Sequence, residues 1–329
     1  MVNCNMVRKM KNKTQRKLNL FLHSGDTLLE DENPVNEAIG DIEPFYSTKM
    51  GAAYLGDSAK LLKHVKDESV QLILTSPPYA LVREKPYGNI VQEHYVEWFL
   101  EFADELRRIL KPEGSLVLDI GGSWIRGSPT KSTYQFELLL ALTEKFFFAQ
   151  DFYWWNPARL PSPAEWVNVK RIRVKDAVDT VWWLSKSENP KADNRRVLQA
   201  YGEDQRKLIQ GRVKETVRPS GHSITHNFSK NNGGSIPSNW LVIPNTNSNS
   251  YYMRQCRSLG ESPHPARFPS KLPEFFIKFL TSNSDDIVLD PFAGSNMTGF
   301  VAEENNRKWI SFELVEKYLI NSKLRWPNL

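Results

Sequence analysis

The stretch that decides the fold is residues 285–314, DDIVLDPFAGSNMTGFVAEENNRKWISFEL. The pattern predicts an apolar strand that ends at Asp290, a turn of small residues, a helix, and a second strand that ends at Glu313. This order is typical of nucleotide-binding α/β proteins, in which an acid at the end of the second strand binds ribose hydroxyls. The stretch therefore predicts a nucleotide-type site, although an ordinary tight turn between a strand and a helix would have the same layout.

The glycines of this turn bear on the kind of nucleotide. Gly294 and Gly299 match the first and last glycines of the dinucleotide fingerprint G-x-G-x-x-G, but Asn296 stands at the middle position. The middle glycine lets the backbone approach the pyrophosphate of a dinucleotide. Its absence argues against NAD and FAD and favours a nucleoside ligand without phosphates.

A second stretch, LTSPPYALVREKPYG at residues 74–88, interrupts an apolar run. Residues 70–74 are predicted to form a buried strand, because the run is short, apolar and rich in large aliphatic side chains. The two prolines cannot extend this strand, since proline lacks an N–H group and has a fixed φ. The chain is therefore expected to hold the Ser-Pro-Pro-Tyr segment at the carboxyl end of the strand, where open α/β sheets bind their ligands.

Strands and helices alternate along much of the chain. Apolar or β-branched runs predict strands that end at Leu55 and cover residues 115–122, 149–157 and 177–187. Apolar residues at helical spacing predict helices over residues 59–65, 93–114, 132–148 and 271–281. Alternation of this kind predicts an α/β fold whose mainly parallel sheet is covered by helices on both faces.

The basic residues are concentrated in two places. The chain has 329 residues and a net charge of +5, and residues 191–260 contain 11 Lys or Arg against 4 Asp or Glu. Six more basic residues and no acidic one lie in the first 17 positions. A concentrated basic segment suits a polyanionic partner such as nucleic acid, although a solvated basic surface is an equally good interpretation.

Cysteine content and hydropathy narrow the classes of protein further. The two cysteines, Cys4 and Cys256, form neither a disulfide framework nor a metal-ligand set, and they fit a reducing cytosol. No apolar stretch approaches the ~18 residues of a membrane span, and the basic N-terminal stretch does not have the apolar core of a secretory signal. We therefore expect a cytoplasmic protein without a bound metal.

The motifs TSPPY and DPFAGSNMTG together resemble those of the DNA amino-methyltransferases, which use S-adenosyl-L-methionine to methylate exocyclic NH2 groups. The segments YLGDSAKLL, DFYWWNP and HPARFPSKLPEFFIKFL also look like segments of this family. The catalytic motif precedes the cofactor motif, which is the circularly permuted order of the β group. The serine of SPPY, with KLPEFF and RPSGH…F…NGGSIPSN, makes the chain similar to the PvuII-type cytosine-N4 methyltransferases over residues 45–329.

This resemblance implies a Rossmann-like methyltransferase fold, a mainly parallel sheet and a small loop-rich target-recognition region. A basic, irregular segment would occupy residues 1–45, and the catalytic half of the methyltransferase domain residues 46–189. The target-recognition region would span residues 190–262, and the cofactor-binding half residues 263–329. The partner implied is double-stranded DNA, whose phosphates and base edges the basic and polar side chains of the target-recognition region would contact.

The resemblance also implies how a methyl group is transferred. The target cytosine is expected to flip out of the duplex, and its N4 amine to donate hydrogen bonds to Ser76 Oγ and to the carbonyl of Pro77. Pro78 would stiffen this corner, and Tyr79 would stack on the base. The residues expected to line the base pocket are Trp154, Trp155 and Asn156.

The cofactor implied is S-adenosyl-L-methionine. Glu313 is expected to bind the ribose hydroxyls, Asp57 the adenine amino group, and Phe292 the face of the adenine. The residues expected around the methionine moiety are Asp290, Gly294, Ser295, Phe268 and Pro269. A role for His264 stays open between packing within its turn and contacting the cofactor, and Asp119 is interpreted as a structural residue.

The function predicted is a site-specific cytosine-N4 DNA methyltransferase. It would act as a monomer on a short palindromic site and protect DNA beside a cognate restriction endonuclease. The alternative is an adenine-N6 methyltransferase, but those enzymes more often have Asp or Asn where Ser76 stands. Carbon-5 methylation would need a cysteine nucleophile, and Cys256 is interpreted as an incidental thiol. A catalytically silent DNA-binding protein with a nucleoside pocket is a third interpretation, against which the intact motifs argue.

Overall fold

The computed structural model describes residues 33–80, 90–211, 230–327 and 329. Most of the predicted N-terminal segment therefore lies outside the described residues. The same holds for the RPSGH motif within the predicted target-recognition region.

One nine-stranded sheet organises the described residues. Its strands are β1 (Tyr46–Ser47), β2 (Gly51–Leu55), β3 (Val70–Thr75), β4 (Leu110–Ile120), β5 (Phe147–Trp155), β6 (Val178–Ser185), β7 (Trp240–Val242), β8 (Ile287–Asp290) and β9 (Lys308–Glu313). They lie in the order β1-β2-β9-β8-β3-β4-β6-β5-β7. The five strands from β2 to β4 in this order are parallel, whereas β6 is antiparallel to both of its neighbours and β1 to β2. The prediction of a mainly parallel sheet is confirmed.

Helices cover both faces of this sheet. The described α-helices are α1 (Asn36–Ile39), α2 (Ser58–Leu61), α3 (Tyr95–Ile109), α4 (Tyr134–Thr143), α5 (Glu203–Ile209), α6 (Tyr251–Leu259), α7 (Lys271–Leu280), α8 (Met297–Glu304) and α9 (Glu316–Ser322). One apolar core lies between the sheet and α3 and α4, and a second between the sheet and α7, α8 and α9. Successive residues of β4 alternate between them, since Leu116 and Leu118 join the first core and Val117 the second. None of the described helices is long and apolar enough to cross a membrane.

Two predicted helices are shorter than the sequence indicates. The helix expected over residues 93–114 ends at Ile109, because Leu110 already pairs with Val70 in the sheet. The helix expected over residues 132–148 ends at Thr143, and Phe147 begins β5. Apolar residues continue across both boundaries, so periodicity alone does not locate them.

The predicted target-recognition region contributes to the main sheet. Its described part contains α5, α6 and β7, and β7 lies parallel to β5 at the edge of the sheet. Cys256 is buried on α6. Irregular segments connect these elements, in agreement with the loop-rich composition.

The order of the strands brings together segments that are far apart in the sequence. β3 lies between β4 and β8, so the SPPY segment after β3 is next to the turn after β8. Because these strands are parallel, their carboxyl ends lie at the same edge of the sheet, which we call the catalytic edge. β6 runs in the opposite direction, so its first residues reach this edge as well.

Candidate active site

A cavity of about 540 Å³ opens at the catalytic edge. Its volume lies within the range of small-molecule sites in proteins. The segment after β3 and the turn after β8 both line it, as does the last residue of β9. The two motifs found in the sequence therefore open into one space. The predicted site residues that line it are Asp57, Ser76, Pro77, Pro78, Tyr79, Trp154, Phe268, Asp290, Phe292, Gly294, Ser295 and Glu313.

The two tryptophans at the end of β5 lie on opposite faces of the sheet. Trp154 lines the cavity, is buried, and donates through Nε1 to the carbonyl of Ile243 at 2.8 Å. Trp155 lies outside the cavity and packs against Trp240, with ring centroids 6.0 Å apart. Successive side chains of a strand point to opposite faces, so only one of the pair reaches the predicted base pocket.

Asn156 and Pro269 also lie outside the cavity, next to residues that line it. The side-chain oxygen of Asn156 accepts hydrogen bonds from the backbone N–H groups of Ala158 and Asn245, both at 3.1 Å. Pro269 is buried, and its carbonyl accepts the N–H of Leu272 at the start of α7. Both residues shape the loops that surround the cavity and do not face it.

A chain of three polar side chains begins at the end of β3. Ser76 Oγ donates to the hydroxyl of Tyr79 at 3.1 Å, and Tyr79 donates to Asp119 Oδ2 in β4 at 2.7 Å. Burial and the carboxylates of Asp119 and Asp179 raise the pKa of Tyr79 well above its ordinary value, so the hydroxyl keeps its proton. The Tyr79 ring is held against Gly121, where an added Cβ atom would lie only 2.4 Å from the ring.

Asp119, interpreted from the sequence as structural, lies within the site. It lines the cavity and is 1% exposed, and its Oδ1 atom has no hydrogen-bond partner among the described residues. Burial, followed by repulsion from the carboxylate of Asp179, raises the pKa of Asp119 to about 8. Carboxyl groups shifted in this way are concentrated at functional sites, because they can exchange a proton near neutral pH.

The turn after β8 depends on an asparagine. Gly294 and Asn296 have φ angles of +54° and +50°, in the left-handed region that glycine favours. The side-chain oxygen of Asn296 caps α8 by accepting the N–H of Gly299 at 3.1 Å, and it also accepts the hydroxyl of Ser311 at 2.7 Å. An added Cβ atom on Gly299 would lie 2.3 Å from this oxygen. Asn296, which stands where the dinucleotide pattern has its middle glycine, therefore supplies the cap of α8.

Asp290 joins the two motifs beneath the cavity. Its Oδ1 atom accepts the hydroxyl of Thr75 at 2.6 Å and the N–H of Phe292 at 3.1 Å, and Oδ2 accepts the hydroxyl of Thr298 at 2.7 Å. Burial raises the pKa of Asp290 to about 6. These three bonds connect the end of β3 with the turn after β8 and the start of α8.

Glu313 is buried at the end of β9 and borders the other end of the cavity. Its Oε2 atom accepts the N–H of Gly294 and its Oε1 atom the N–H of Val315, both at 2.8 Å. Burial raises the pKa of Glu313 above its ordinary value. Each carboxylate oxygen has two acceptor positions, so both oxygens can still accept a hydroxyl group from a ligand.

An aromatic wall borders the cavity near Glu313. The ring of Phe292 lies 5.8 Å from that of Trp98 and 5.3 Å from that of Phe102, and all three side chains line the cavity. The carboxylate of Asp57 lines the cavity as well. Flat apolar rings beside carboxylate acceptors fit an adenosine group, whose base needs an apolar surface and whose hydroxyl and amino groups need acceptors. The residues present therefore fit the cofactor that the sequence resemblance implies.

Two further predicted residues border the turn after β8. The carbonyl and hydroxyl of Ser295 accept hydrogen bonds from the buried guanidinium of Arg325, the hydroxyl at 2.7 Å. The His264 ring packs against Gly294 and lies 4.3 Å from the ring of Tyr318. Burial lowers the pKa of His264 to about 4, so its ring is neutral at neutral pH. His264 thus both packs within its turn and lines the cavity.

Comparison with known proteins identifies the family. A family model described as DNA methylase matches residues 70–323. The chain belongs to the DNA methylase family. The Type II methyltransferase M.PvuII of Proteus hauseri is 52% identical over 289 residues, which are 86% of this chain and 86% of that protein. M.BamHI of Bacillus amyloliquefaciens is 29% identical over 309 residues, which are 91% of this DNA methylase and 63% of that protein.

Solved structures share the fold of this DNA methylase. The PvuII DNA methyltransferase, described as cytosine-N4-specific, superposes with a TM-score of 0.71 and 45% identity over 88% of this chain and 91% of that chain. A putative DNA modification methylase of Thermus thermophilus, TTHA0409, solved in complex with S-adenosyl-L-methionine, has a TM-score of 0.51 and 19% identity over 83% of this chain and 91% of that chain. The second likeness supports the fold alone.

The cavity of this DNA methylase contains residues that the sequence analysis does not assign to it. Trp98 follows the apolar spacing of α3, and this spacing cannot distinguish a side chain that faces a core from one that faces a cavity. Asp179 could be found from the sequence, because it is the single charged residue of β6. The additional lining residues with polar or aromatic side chains are Ser58, Trp98, Phe102, Asp119, Arg159, Asp179, Asn245, Arg267 and Thr298.

Proposed function

We infer that this chain is a site-specific DNA methyltransferase that transfers a methyl group from S-adenosyl-L-methionine to N4 of cytosine. The observation that carries this conclusion is the single cavity that joins the corner at Ser76 to Glu313. The 52% identity to M.PvuII over 86% of both chains supports cytosine-N4 specificity and a place in a restriction–modification system. The likeness to a structure described as cytosine-N4-specific agrees with this conclusion.

The cofactor fits the end of the cavity bordered by Glu313. There, Glu313 would accept both ribose hydroxyls through the acceptor positions that its backbone hydrogen bonds leave unused. Asp57 would accept the adenine amino group, and Phe292 and Trp98 would cover the adenine. The residues placed to border the methionine moiety are Asp290, Gly294, Ser295 and Phe268. S-adenosyl-L-methionine supplies an electrophilic methyl group on a sulfonium sulfur.

Ser76 and Pro77 would bind the target amine. The N4 lone pair of cytosine is delocalised into the ring, so the amine is a weak nucleophile. Because Ser76 directs its own hydrogen to Tyr79, the lone pairs of Ser76 Oγ are available to accept one N4 hydrogen, and the carbonyl of Pro77 accepts the other. Pro78 restricts the backbone that holds this carbonyl. Two such bonds favour a tetrahedral nitrogen with a localised lone pair, which is preorganisation.

Asp119 would receive the proton that leaves N4. A nitrogen that has gained a methyl group must lose one of its hydrogens, so an N–H bond breaks there and an O–H bond forms elsewhere. Tyr79 connects Ser76 to Asp119 through hydrogen bonds of 3.1 and 2.7 Å. With a pKa raised to about 8, the ionised Asp119 is a stronger base than an ordinary carboxylate.

Tyr79 and Trp154 would hold the flipped base. The N4 amine lies inside the duplex, so the cytosine must leave the stack at a cost of a few kcal/mol. Stacking on an aromatic ring, worth roughly 1–3 kcal/mol per base, offsets part of this cost. The Tyr79 ring is fixed by its hydroxyl bond to Asp119 and by its contact with Gly121, so the stacking surface is formed before DNA binds.

Duplex DNA would lie along the catalytic edge, with residues 190–262 as the target-recognition region. The exposed side chains of Arg254 and Arg257 on α6 are suited to bind phosphates. The enzyme would act as a monomer on each strand of a palindromic site in turn. A cognate restriction endonuclease in the same cytoplasm would cleave the unmodified site.

Analysis of methylated DNA tests this function. DNA from cells that express the chain is digested to nucleosides, and N4-methylcytosine is the expected product. Ser76→Ala is the matched variant, which should lose the product and still bind the cofactor. Sequencing of the methylated positions identifies the recognised site. N6-methyladenine as the product would show that the chain is an adenine-N6 methyltransferase. DNA binding without any methylated base would show that it is a catalytically silent DNA-binding protein.

A further inference from the structure

Arg159 and Ser76 line the same cavity, and the methyl transfer described above gives Arg159 no role. Arg159 donates through Nη1 and Nη2 to Asp179 Oδ1 and Oδ2 at 2.9 and 2.5 Å. The Asp179 side chain is 4% exposed, whereas that of Arg159 is 31% exposed and lines the cavity. These bonds use two of the five N–H groups of the guanidinium, and no side chain or carbonyl of the described residues accepts the remaining three.

The position of Arg159 is fixed relative to Tyr79. Its backbone N–H donates to the carbonyl of Asn156 at 3.1 Å, so a tight turn presents Arg159 directly after β5. An added Cβ atom on Gly121 would lie 2.4 Å from the Tyr79 ring and 3.2 Å from Asp179 Oδ1. Tyr79 and Asp179 therefore both border one glycine position, and the guanidinium that Asp179 holds lies within electrostatic range of Tyr79, on whose ring the target base would stack.

We propose that Arg159 donates hydrogen bonds to N3 and O2 of the flipped-out cytosine and thereby selects cytosine over adenine. This inference rests on the proposed function, which places the N4 amine at Ser76 and the base on Tyr79. With N4 bound there, N3 and O2 are the next two acceptors along the same edge of the base. The planar fork of a guanidinium matches two adjacent acceptors.

The selection follows from the difference between the two bases. Beside its amine, cytosine has acceptors at N3 and O2, whereas adenine has an acceptor at N1 and a C–H group at C2. With adenine, one N–H group of Arg159 would lose its water and face a C–H group, and an unpaired buried donor is costly. A site built around such a bond rejects the base that lacks the acceptor. Ser76 and Pro77 contact only the amine, which both bases share.

Single-turnover methylation of short duplexes that contain the sequenced site tests this role. In a second duplex the target cytosine is replaced by 2-thiocytosine, because sulfur accepts hydrogen bonds much more weakly than oxygen. The wild type is expected to methylate the thio base roughly tenfold more slowly or worse, as for a lost bond to a charged donor. Arg159→Met is expected to be slower on cytosine by roughly 10- to 100-fold and to methylate both bases at nearly equal rates.

Arg173→Met is the matched control, because Arg173 pairs with Asp176 outside the cavity. It should keep the wild-type preference for cytosine over 2-thiocytosine. Arg159→Lys keeps the positive charge but not the planar guanidinium, and it should also lose most of the preference for cytosine over 2-thiocytosine. This variant provides a second test if Arg159→Met does not fold. Variants of Arg159 that keep the wild-type preference would show that Arg159 only neutralises Asp179, and the proposal would be wrong. Failure of the wild type to form N4-methylcytosine would instead contradict the proposed function.

Discussion

Glu313 accepts the backbone N–H of Gly294 at 2.8 Å, and this bond joins the end of β9 to the turn after β8. The second oxygen of Glu313 accepts the N–H of Val315 at the same distance. The acid that is expected to bind the ribose therefore also fixes the backbone that borders the cofactor. Ligand binding and the geometry of the turn depend on one carboxylate.

Glu313→Ala should weaken binding of S-adenosyl-L-methionine by about 1.5–3 kcal/mol, the usual loss for a hydrogen bond to a charged group. Glu313→Gln should weaken cofactor binding nearly as much, because the amide nitrogen of the glutamine must face the N–H of either Gly294 or Val315. Isothermal titration calorimetry measures the Kd. Thermal unfolding of the cofactor-free protein measures how much the loss of the hydrogen bonds to Glu313 destabilises the fold. Glu316→Gln, at an exposed position of α9, is the control. An unchanged Kd in both Glu313 variants would remove this residue from the cofactor site.

Tyr79→Ala should depress turnover far more than cofactor binding, because it removes a stacking contact worth roughly 1–3 kcal/mol. Tyr79→Phe keeps the ring and breaks the link between Ser76 and Asp119. The Phe variant should therefore bind target DNA like the wild type and still turn over more slowly. Rapid-quench methylation and equilibrium binding separate the two effects, with Phe136→Ala on the exposed face of α4 as the control. Equal losses of turnover and cofactor affinity in Tyr79→Ala would contradict a stacking role.

The sequence predicts those parts of the site that follow the ends of parallel strands. Residues 76–79 come directly after β3, and Glu313 ends β9. The rule that the carboxyl ends of parallel strands share one edge is sufficient to bring these segments together. It does not determine that β3 lies between β4 and β8, since the order of the strands is fixed by packing between distant segments.

The residues that the sequence analysis does not find reach the cavity by other routes. Arg159 follows an irregular turn whose path depends on the bond between Asn156 and Asn245, which are distant in the sequence. Asp179 reaches the catalytic edge only because β6 runs antiparallel to β4. Trp98 lies on a helix whose apolar spacing is that of any buried helix. These placements depend on strand direction and loop path, and a pattern of residue types specifies neither.

Binding to DNA that lacks the target site should weaken steeply as salt concentration rises, because phosphate contacts release counterions. Arg254 and Arg257 lie three residues apart on α6 and are exposed. Replacing both with Ser should reduce the slope of log Kd against log salt concentration by about 2. Arg107→Ser is the control, because Arg107 lies near the end of α3 at the opposite edge of the sheet. Fluorescence anisotropy measures the slope, and a slope that the double variant leaves unchanged would mean that α6 does not contact phosphates.

The pH dependence of stability reports the state of Asp119. Its pKa is raised from 3.8 to about 8, first by burial and then by the carboxylate of Asp179. Between these two values the folded protein keeps a proton that the unfolded chain has released, so the free energy of unfolding falls as pH rises. The stabilisation is fully present below the unfolded value and is lost once pH exceeds the folded value.

Asp290 and His264 titrate at lower pH than Asp119, and Tyr79 at much higher pH, which leaves an interval for following Asp119. The pKa of Asp290 is raised to about 6, and that of His264 is lowered from 6.5 to about 4. Between pH 6.5 and 8, urea unfolding should show a falling free energy for the wild type and a flatter profile for Asp119→Asn. Asp285→Asn changes an exposed acid and should follow the wild type. If Asp119→Asn keeps the wild-type slope over this interval, Asp119 does not hold a proton in the folded protein above pH 6.5, and its pKa is not raised to about 8.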